Sequence, residues 1–460
     1  MSERKFEGRM SDTDALMWTV EKDPLLRSTI TAVALLDQAP DRERVLDKIE
    51  RGIRMIPRLR QRVVAPPLGV APPEWVYDHN FDLAYHLRFV KAAGDGSMRD
   101  LLDMAAPIAM QGFDRARPLW EFTVIEGLAD GRAAMIQKVH HAVTDGVGGI
   151  ELALMLLDAE RDPAPDTTPM PALEPAEKPS PMKLLRDGVQ HEVRRQLGIA
   201  RRTVASVPGA VGDAPQAARG TAETIQSLAR MLAPANTPLS PIMTDRSLSV
   251  RFDVLSVPLG ETKAAANRVG GRLNDAFVAG VAGGLARYHQ RHGQPVEALR
   301  MSMPISIRTA DSETLGGNQF VPARFAVPMN IDDPAARMSA IRELVATQKA
   351  EPALALTMPI AGVLNRMPTT LVTQLFGGML KGVDFVTSNV PGAPFEVFLA
   401  GAKVEANFAL GPLAGAAINI TLLSYLDELQ IGVNSDPAAV PDPDVLMECL
   451  AEGFEEVRKA

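Results

Sequence analysis

Prolines at 163, 165, 169, 171, 175, 179 and 181 constrain this chain more than any other feature. Each fixes φ and removes a backbone donor, so neither a helix nor an interior strand runs through such a stretch. On either side, strand-like and helix-like runs alternate. The chain therefore reads as two α/β (α+β) parts. Residues 1–160 form the first and 246–460 the second, with an extended segment and helices over 161–245 between them. At 460 residues there is enough chain for two separate cores.

In the first part Thr29–Leu36 (TITAVALL) reads as a strand, and Asp41–Ile53 has helical spacing with Asp41 as N-cap. Asp130-Gly131 lies between two strand-like runs, Glu121–Leu128 and Arg132–Val139, which is a hairpin signature. In the second part Ser249–Val254, Leu255–Leu259, Leu299–Ile307, Arg324–Val327, Phe385–Ser388, Lys403–Asn407, Ala416–Leu423 and Glu428–Ser435 read as strands. Helical runs are Glu261–Arg268, Asn274–Arg291 (capped by Asn274 or Asp275), Pro334–Ala350 and Pro441–Arg458. Pro359–Lys381 is an almost continuous apolar stretch. Residues 182–235 read as helical, with Arg194-Arg195 and Arg201-Arg202 around an apolar run. That pattern could suit an amphipathic helix on an anionic lipid surface, but it fits better a solvated helix face that packs on the protein.

The hairpin leads into His140-His141-Ala142-Val143-Thr144-Asp145-Gly146. A histidine on a loop held by a rigid strand exit suits general-base work, because its unperturbed pKa lies nearest neutrality. No Ser, Cys or Lys nucleophile stands beside the pair, so direct base catalysis fits better than a covalent acyl-enzyme. Gly146, Gly148 and Gly149 allow a ligand or another chain segment to approach the backbone. A purely structural histidine pair is the competing reading. A zinc site needs at least three protein ligands, whereas adjacent residues in extended chain face opposite ways. With seven His, one Cys and no HExxH, no metal is expected.

Composition narrows the function. Forty-eight basic and 56 acidic residues give a formal charge of −8, which disfavours nucleic acid as a partner. The single Cys449 excludes an internal disulfide framework and fits a reducing cytosol. The polar N-terminus lacks a signal-peptide core, and no apolar run approaches bilayer length. A cytoplasmic protein is expected, with peripheral contact to an inner membrane or lipid bodies left open.

The HHxxxDG segment resembles the acyltransfer signature of the chloramphenicol acetyltransferase-like superfamily, and further blocks resemble one branch of it. Pro118-Leu119-Trp120-Glu121, Asn274-Asp275, Met303–Arg308, Gly317-Asn318, Thr387–Gly392 and Asn419-Ile420 to Ser424-Tyr425 follow the order seen in bacterial wax ester synthase/diacylglycerol acyltransferases. Met10–Asp14 resembles that family's N-terminal opening, with Asp12 where Pro often stands. The resemblance spans nearly the whole chain. It implies two similar domains forming a V around an active-site tunnel. It also implies transfer of a long-chain acyl group from acyl-coenzyme A, a co-substrate rather than a cofactor, to a fatty alcohol or diacylglycerol.

On that reading His141 is the base and His140 holds the loop. Asp145 points away from substrate and pairs with Arg308. Asn274 braces the domain interface or caps its helix. Ser388 and Asn389 sit on a loop reaching across the interface, with Ser388 a candidate oxyanion donor, or else they form a plain turn. Trp120 is a substrate wall or a core aromatic, and Gly146, Gly148 and Gly149 pass the acyl or pantetheine arm. The 21 methionines suit flexible alkyl chains, although core filling is the readier account of them. Two rivals remain: an acyltransferase or condensation enzyme for a specialised lipid or polyketide, which the PLWE and ND blocks oppose, and a non-catalytic lipid-binding homologue, which the intact His141 and Asp145 oppose.

Overall fold

The computed structural model describes residues 8–143, 155–164, 168–176, 180–206, 237–306, 320–351 and 357–460. Two six-stranded mixed sheets carry the fold. The first runs Phe398–Leu399 (β11), Ala402–Leu410 (β12), Thr29–Leu36 (β1), Ala133–His140 (β6), Trp120–Glu126 (β5) and Leu87–Lys91 (β4). Only β4 and β5 pair in parallel. The second runs Arg251–Pro258 (β7), Glu428–Ser435 (β14), Ile418–Tyr425 (β13), Phe385–Val390 (β10), Ala298–Ser306 (β8) and Phe320–Pro328 (β9). In it β10 lies parallel to both β13 and β8. A small ribbon pairs Gln61–Val64 (β2) with Glu74–Tyr77 (β3).

Helices cover the sheets. Asp12–Val20 (α1) opens the described chain, capped by Ser11. Arg42–Met55 (α2), capped by Asp41 as its sequence indicates, lays Val45, Ile49 and Ile53 on one face of the first sheet, beside Leu36, Phe122 and Met135. A single turn, Leu83–His86 (α3), precedes β4. Met98–Met110 (α4) starts at a Ser97/Asp100 capping box and covers the opposite face with Leu101, Leu102 and Ala105. Pro181–Ser206 (α5) follows the proline-rich segment. Leu259–Arg268 (α6), Leu273–Arg291 (α7), Pro334–Lys349 (α8) and Pro443–Lys459 (α11) pack on the second sheet.

The apolar stretch expected over 359–381 is two helices, Thr357–Leu364 (α9) and Thr369–Leu380 (α10), broken before Pro368. They shelter Leu16 and Val20 of α1, so the start of the chain packs on its second half. The two strands expected over 249–259 are one, β7. Helix α7 begins at Leu273, so neither Asn274 nor Asp275 is its N-cap. Asp275 instead accepts the Arg272 N–H at 2.7 Å from the first turn.

The two sequence parts share a sheet. Strand β12, from the second half, lies along β1 with Thr31 opposite Leu410 and Ala34 opposite Asn407. Without it, β1 would present an unpaired edge. The Tyr425 hydroxyl donates to the Val404 carbonyl at 2.8 Å. Asn434 and Asn419 donate to the carbonyls of Gly411 and Pro412 at 2.8 and 2.7 Å. These bonds hold β12 against the second sheet. Across the same junction Arg99 of α4 pairs with Asp253 of β7 at 2.8 Å.

Candidate active site

The β5–β6 hairpin delivers the histidine pair. Its turn uses left-handed backbone at Asp130 (φ 61) and Gly131 (φ 75), which Asp and Gly tolerate. Strand β6 ends at His140, directly across from Thr29 on β1. The chain then turns, with the Val143 N–H donating to the His140 carbonyl at 2.9 Å. Asp145, Gly146, Gly148 and Gly149 lie outside the described residues, as do Arg308, Gly317 and Asn318.

His140 is buried and both its ring nitrogens are committed. Nδ1 accepts the Ala142 N–H at 3.0 Å, and Nε2 lies 2.9 Å from Oε1 of Glu21. That pattern makes Nδ1 the acceptor and Nε2 the donor of the ring, because a proton on Nδ1 would face the Ala142 N–H. Trp18 and Phe113 close edge-on over the ring, at 5.6 and 6.0 Å between centroids. Burial alone raises the pKa of Glu21. Its interaction with His140, the Ser28 N–H and the Arg115 guanidinium outweigh burial and hold it below the ordinary carboxylate range. A lowered carboxylate stabilises the fold above its unfolded pKa, and that contribution is lost as pH falls through the folded value. The stability gap between wild type and Glu21→Gln is therefore expected to close on acidification in paired thermal-shift scans.

His141 is half-buried, and its N–H donates to the Ser28 carbonyl at 2.9 Å. Two residues before the pair, Lys138 is fully buried against Glu121 at 3.2 Å and stands 4.5 Å over the Phe113 ring. Arg88 reaches Glu121 from the other side at 3.1 Å. Burial pulls the Lys138 ammonium below its usual range, while Glu121 opposes that shift. On this face of β1 a cleft opens between the sequence halves, lined by Thr29, Thr31, Met110, Ser249, Leu410 and Asn434.

The other expected site residues are dispersed. Trp120 is fully buried, stacks on His86 at 4.7 Å and donates its indole N–H to the Leu59 carbonyl at 2.8 Å. It is buried in a hydrophobic cluster with its polar edge satisfied. Asn274 lies in the first turn of α7, its amide 3.8 Å from the Met303 sulfur on β8. Ser388 and Asn389 belong to strand β10, opposite Thr421 and Leu422, rather than to a loop or turn. Ser388 is half-buried and Asn389 exposed. The described residues contain no group of three or more His, Cys, Asp or Glu placed to hold a metal.

Sequence reasoning missed Glu21, Ser28 and the Lys138–Glu121 pair. A signal for Glu21 was present: it is an acid at the C-terminal end of α1, where the helix dipole disfavours negative charge, so a specific partner was to be expected. Lys138 likewise puts a full charge into a mostly apolar strand.

Two mixed sheets, the first of them completed by a strand from the second sequence part, with a histidine pair at the exit of a central strand, give a chloramphenicol acetyltransferase-like fold. Within it, residues 10–277 match the wax ester synthase/diacylglycerol acyltransferase catalytic domain and residues 316–458 match the C-terminal domain of that family, so the chain belongs to the wax ester synthase/diacylglycerol acyltransferase family. A Mycobacterium tuberculosis H37Rv protein, provisionally named a diacylglycerol O-acyltransferase, is 38% identical over 99% of this chain and 94% of its own length. A second protein from that strain with the same provisional name is 29% identical over 98% of this chain and 97% of its own. The solved wax ester synthase/diacylglycerol acyltransferase from Marinobacter aquaeolei VT8 superposes with a TM-score of 0.62 at 22% identity, covering 98% of both chains. The first condensation domain of the calcium-dependent antibiotic synthetase shares the fold at 0.61 and 15% identity, covering 99% of this chain and 96% of its own. The chain is thus an acyltransferase whose products are wax ester or triacylglycerol.

Proposed function

We propose that His141 is the general base of this transfer. It takes the proton from the acceptor hydroxyl, whose oxygen attacks the thioester carbonyl of a long-chain acyl-coenzyme A. The resulting imidazolium protonates the departing thiolate. Ester and free coenzyme A leave, no covalent enzyme intermediate forms, and no cofactor is used beyond the acyl-coenzyme A co-substrate. The commitment of both His140 nitrogens carries this reading: His140 cannot accept a substrate proton without giving up a bond to Ala142 or Glu21. Asp145 and Arg308 brace the loop as an ion pair, Ser388 donates to the oxyanion, and Gly146, Gly148 and Gly149 leave room for the acyl or pantetheine arm. The test is acceptor-dependent thiol release from palmitoyl-coenzyme A, with hexadecanol or dioleoylglycerol, by wild type and His141→Ala. Release that survives in the variant would sink the proposal.

The acceptors and products are water-insoluble, and α5 offers a surface for them. Met182, Val189, Val193 and Leu197 are 74, 47, 53 and 55% exposed. They fall on one stripe of the helix, which Arg186 interrupts, with exposed Lys183 and Arg194 along its flank. Leu184 and Gly188, on the opposite side, are buried. No helix among the described residues is long and apolar enough to cross a membrane. An outward apolar stripe with a cationic flank suits peripheral docking on an anionic lipid surface, either the inner membrane or a lipid body. Wild type is expected to float with phosphatidylglycerol-containing vesicles, and Val193→Asp/Leu197→Asp to stay behind. Equal flotation of the two would remove α5 from the docking surface.

A further inference from the structure

We infer that Glu21 is a positioning residue for acyl transfer: one carboxylate oxygen frames the catalytic histidine through two hydrogen-bonded branches. This inference rests on His141 being the base.

Both branches start at Oε1 of Glu21. That atom accepts the Ser28 N–H at 2.6 Å, and the Ser28 carbonyl in turn accepts the His141 N–H at 2.9 Å. It also accepts Nε2–H of His140 at 2.9 Å, and Nδ1 of His140 accepts the Ala142 N–H at 3.0 Å. The residues before, at and after His141 therefore all depend on a single oxygen atom. The His140 N–H, bonded to the Leu119 carbonyl at 3.0 Å, ties the same segment to the strand beyond. Burying a carboxylate beside the histidine ring is unfavourable unless its hydrogen bonds are made, and here they are.

Glu21 also fixes which His140 tautomer is present. If that acceptor is removed, the proton is free to move to Nδ1, which then opposes the Ala142 N–H and releases the turn. Misplacing a catalytic group by about 1 Å costs roughly 10²-fold in rate. Helix α1 sets the reach of Glu21, and it is itself seated on α9 and α10 of the second half. The loop is thus referenced to both halves of the molecule.

Other charges face the pair. The Arg115 guanidinium lies 4.0 Å from the second Glu21 oxygen and 4.1 Å over the Trp18 ring. On β6, Lys138 is paired with Glu121, and Arg27 and Arg88 act on that lysine. Among the described residues, Glu21 is a negative group bonded directly to His140. Removing its charge makes an imidazolium on the loop harder to form, so the acid limb of the kcat profile moves to lower pH.

The test compares wild type, Glu21→Gln and Glu21→Ala by thiol release from palmitoyl-coenzyme A as a function of pH, with His141→Ala alongside. Expected for Glu21→Ala is a kcat lower by about 10²-fold, with KM for acyl-coenzyme A within about twofold. Glu21→Gln keeps an acceptor oxygen and recovers much of kcat, yet its acid limb also moves to lower pH. A role confined to stability would not move that limb. If Glu21→Ala does not fold, Glu21→Gln decides alone: a displaced limb supports the inference, and an unmoved limb with wild-type kcat overturns it. A loss seen only in KM overturns it as well. If Glu21 variants behave as wild type while His141→Ala is inactive, only the positioning role fails. If His141→Ala is active, the base assignment itself fails.

Discussion

His141→Ala is expected to lower acceptor-dependent release of coenzyme A by about 10²–10⁴-fold, the usual contribution of a positioned general base. The loss should fall on kcat, with KM for acyl-coenzyme A nearly unchanged, because the base acts on a proton that moves only in the transition state. His140→Ala is expected to differ in kind. It removes a fully buried ring and leaves both the Glu21 carboxylate and the Ala142 N–H without their partner. A lowered Tm should therefore accompany the loss of rate. Thiol release with hexadecanol and with dioleoylglycerol, read beside a melting curve for each variant, separates the two residues. Because the proposed reaction has no acyl-enzyme, rapid mixing of wild type with acyl-coenzyme A alone should give no burst of thiol. A burst, or equal turnover by wild type and His141→Ala, would overturn the assignment.

Local pattern carried much of the fold. The Thr29–Leu36 strand, the Asp41 cap and the Asp130-Gly131 hairpin are set by side-chain period and turn chemistry, and the structure reproduces each. Pairing partners were not legible in the same way. Nothing within Ala402–Leu410 says that it will join β1 rather than a strand of its own half. That choice depends on which edge is open once both sheets have formed. Likewise, Pro359–Lys381 looked continuous because apolar content alone cannot mark the break that Pro368 imposes.

The site was legible where chemistry and chain position coincide. The histidine pair at a strand exit stood out because few residue types do base chemistry and few places hold them rigidly. Trp120 was ambiguous, since an indole suits a wall or a core, and its burial shows only in three dimensions. Glu21 was invisible for another reason. Its partner His140 is 119 residues away, and no period or motif encodes such a pairing. Ser388 and Asn389 were misplaced into a loop because Pro391-Gly392 made the whole block look like a turn, whereas the ladder to β13 extends through Val390.

Gly432→Ala is expected to be severely damaging for a change of a single methyl group. Gly432 lies mid-strand in β14, paired with Thr421 on one side and Val254 on the other, so its backbone has no freedom to retreat. A Cβ there would stand 2.1 Å from the Ala409 carbonyl oxygen and 2.9 Å from its carbon. Both are backbone atoms of β12, which cannot swing aside as a side chain can. Relief requires the second sheet to move off β12. That strains the Tyr425, Asn434 and Asn419 bonds across the junction and pulls on β1, the strand beside His140. A destabilisation of about 4 kcal/mol or more is expected, beyond the ordinary range for a point substitution. Two cores need not melt as one, so the observable is the lowest unfolding transition rather than a single free energy. Thiol release should fall with it, because β1 and β6 set the position of the histidine pair. Gly260→Ala is the control: it lies in the first turn of α6 with nothing within 4 Å of its added Cβ, so a Tm at or slightly above wild type is expected there. A wild-type melting profile for Gly432→Ala would mean that the two sheets are not in backbone contact at this point.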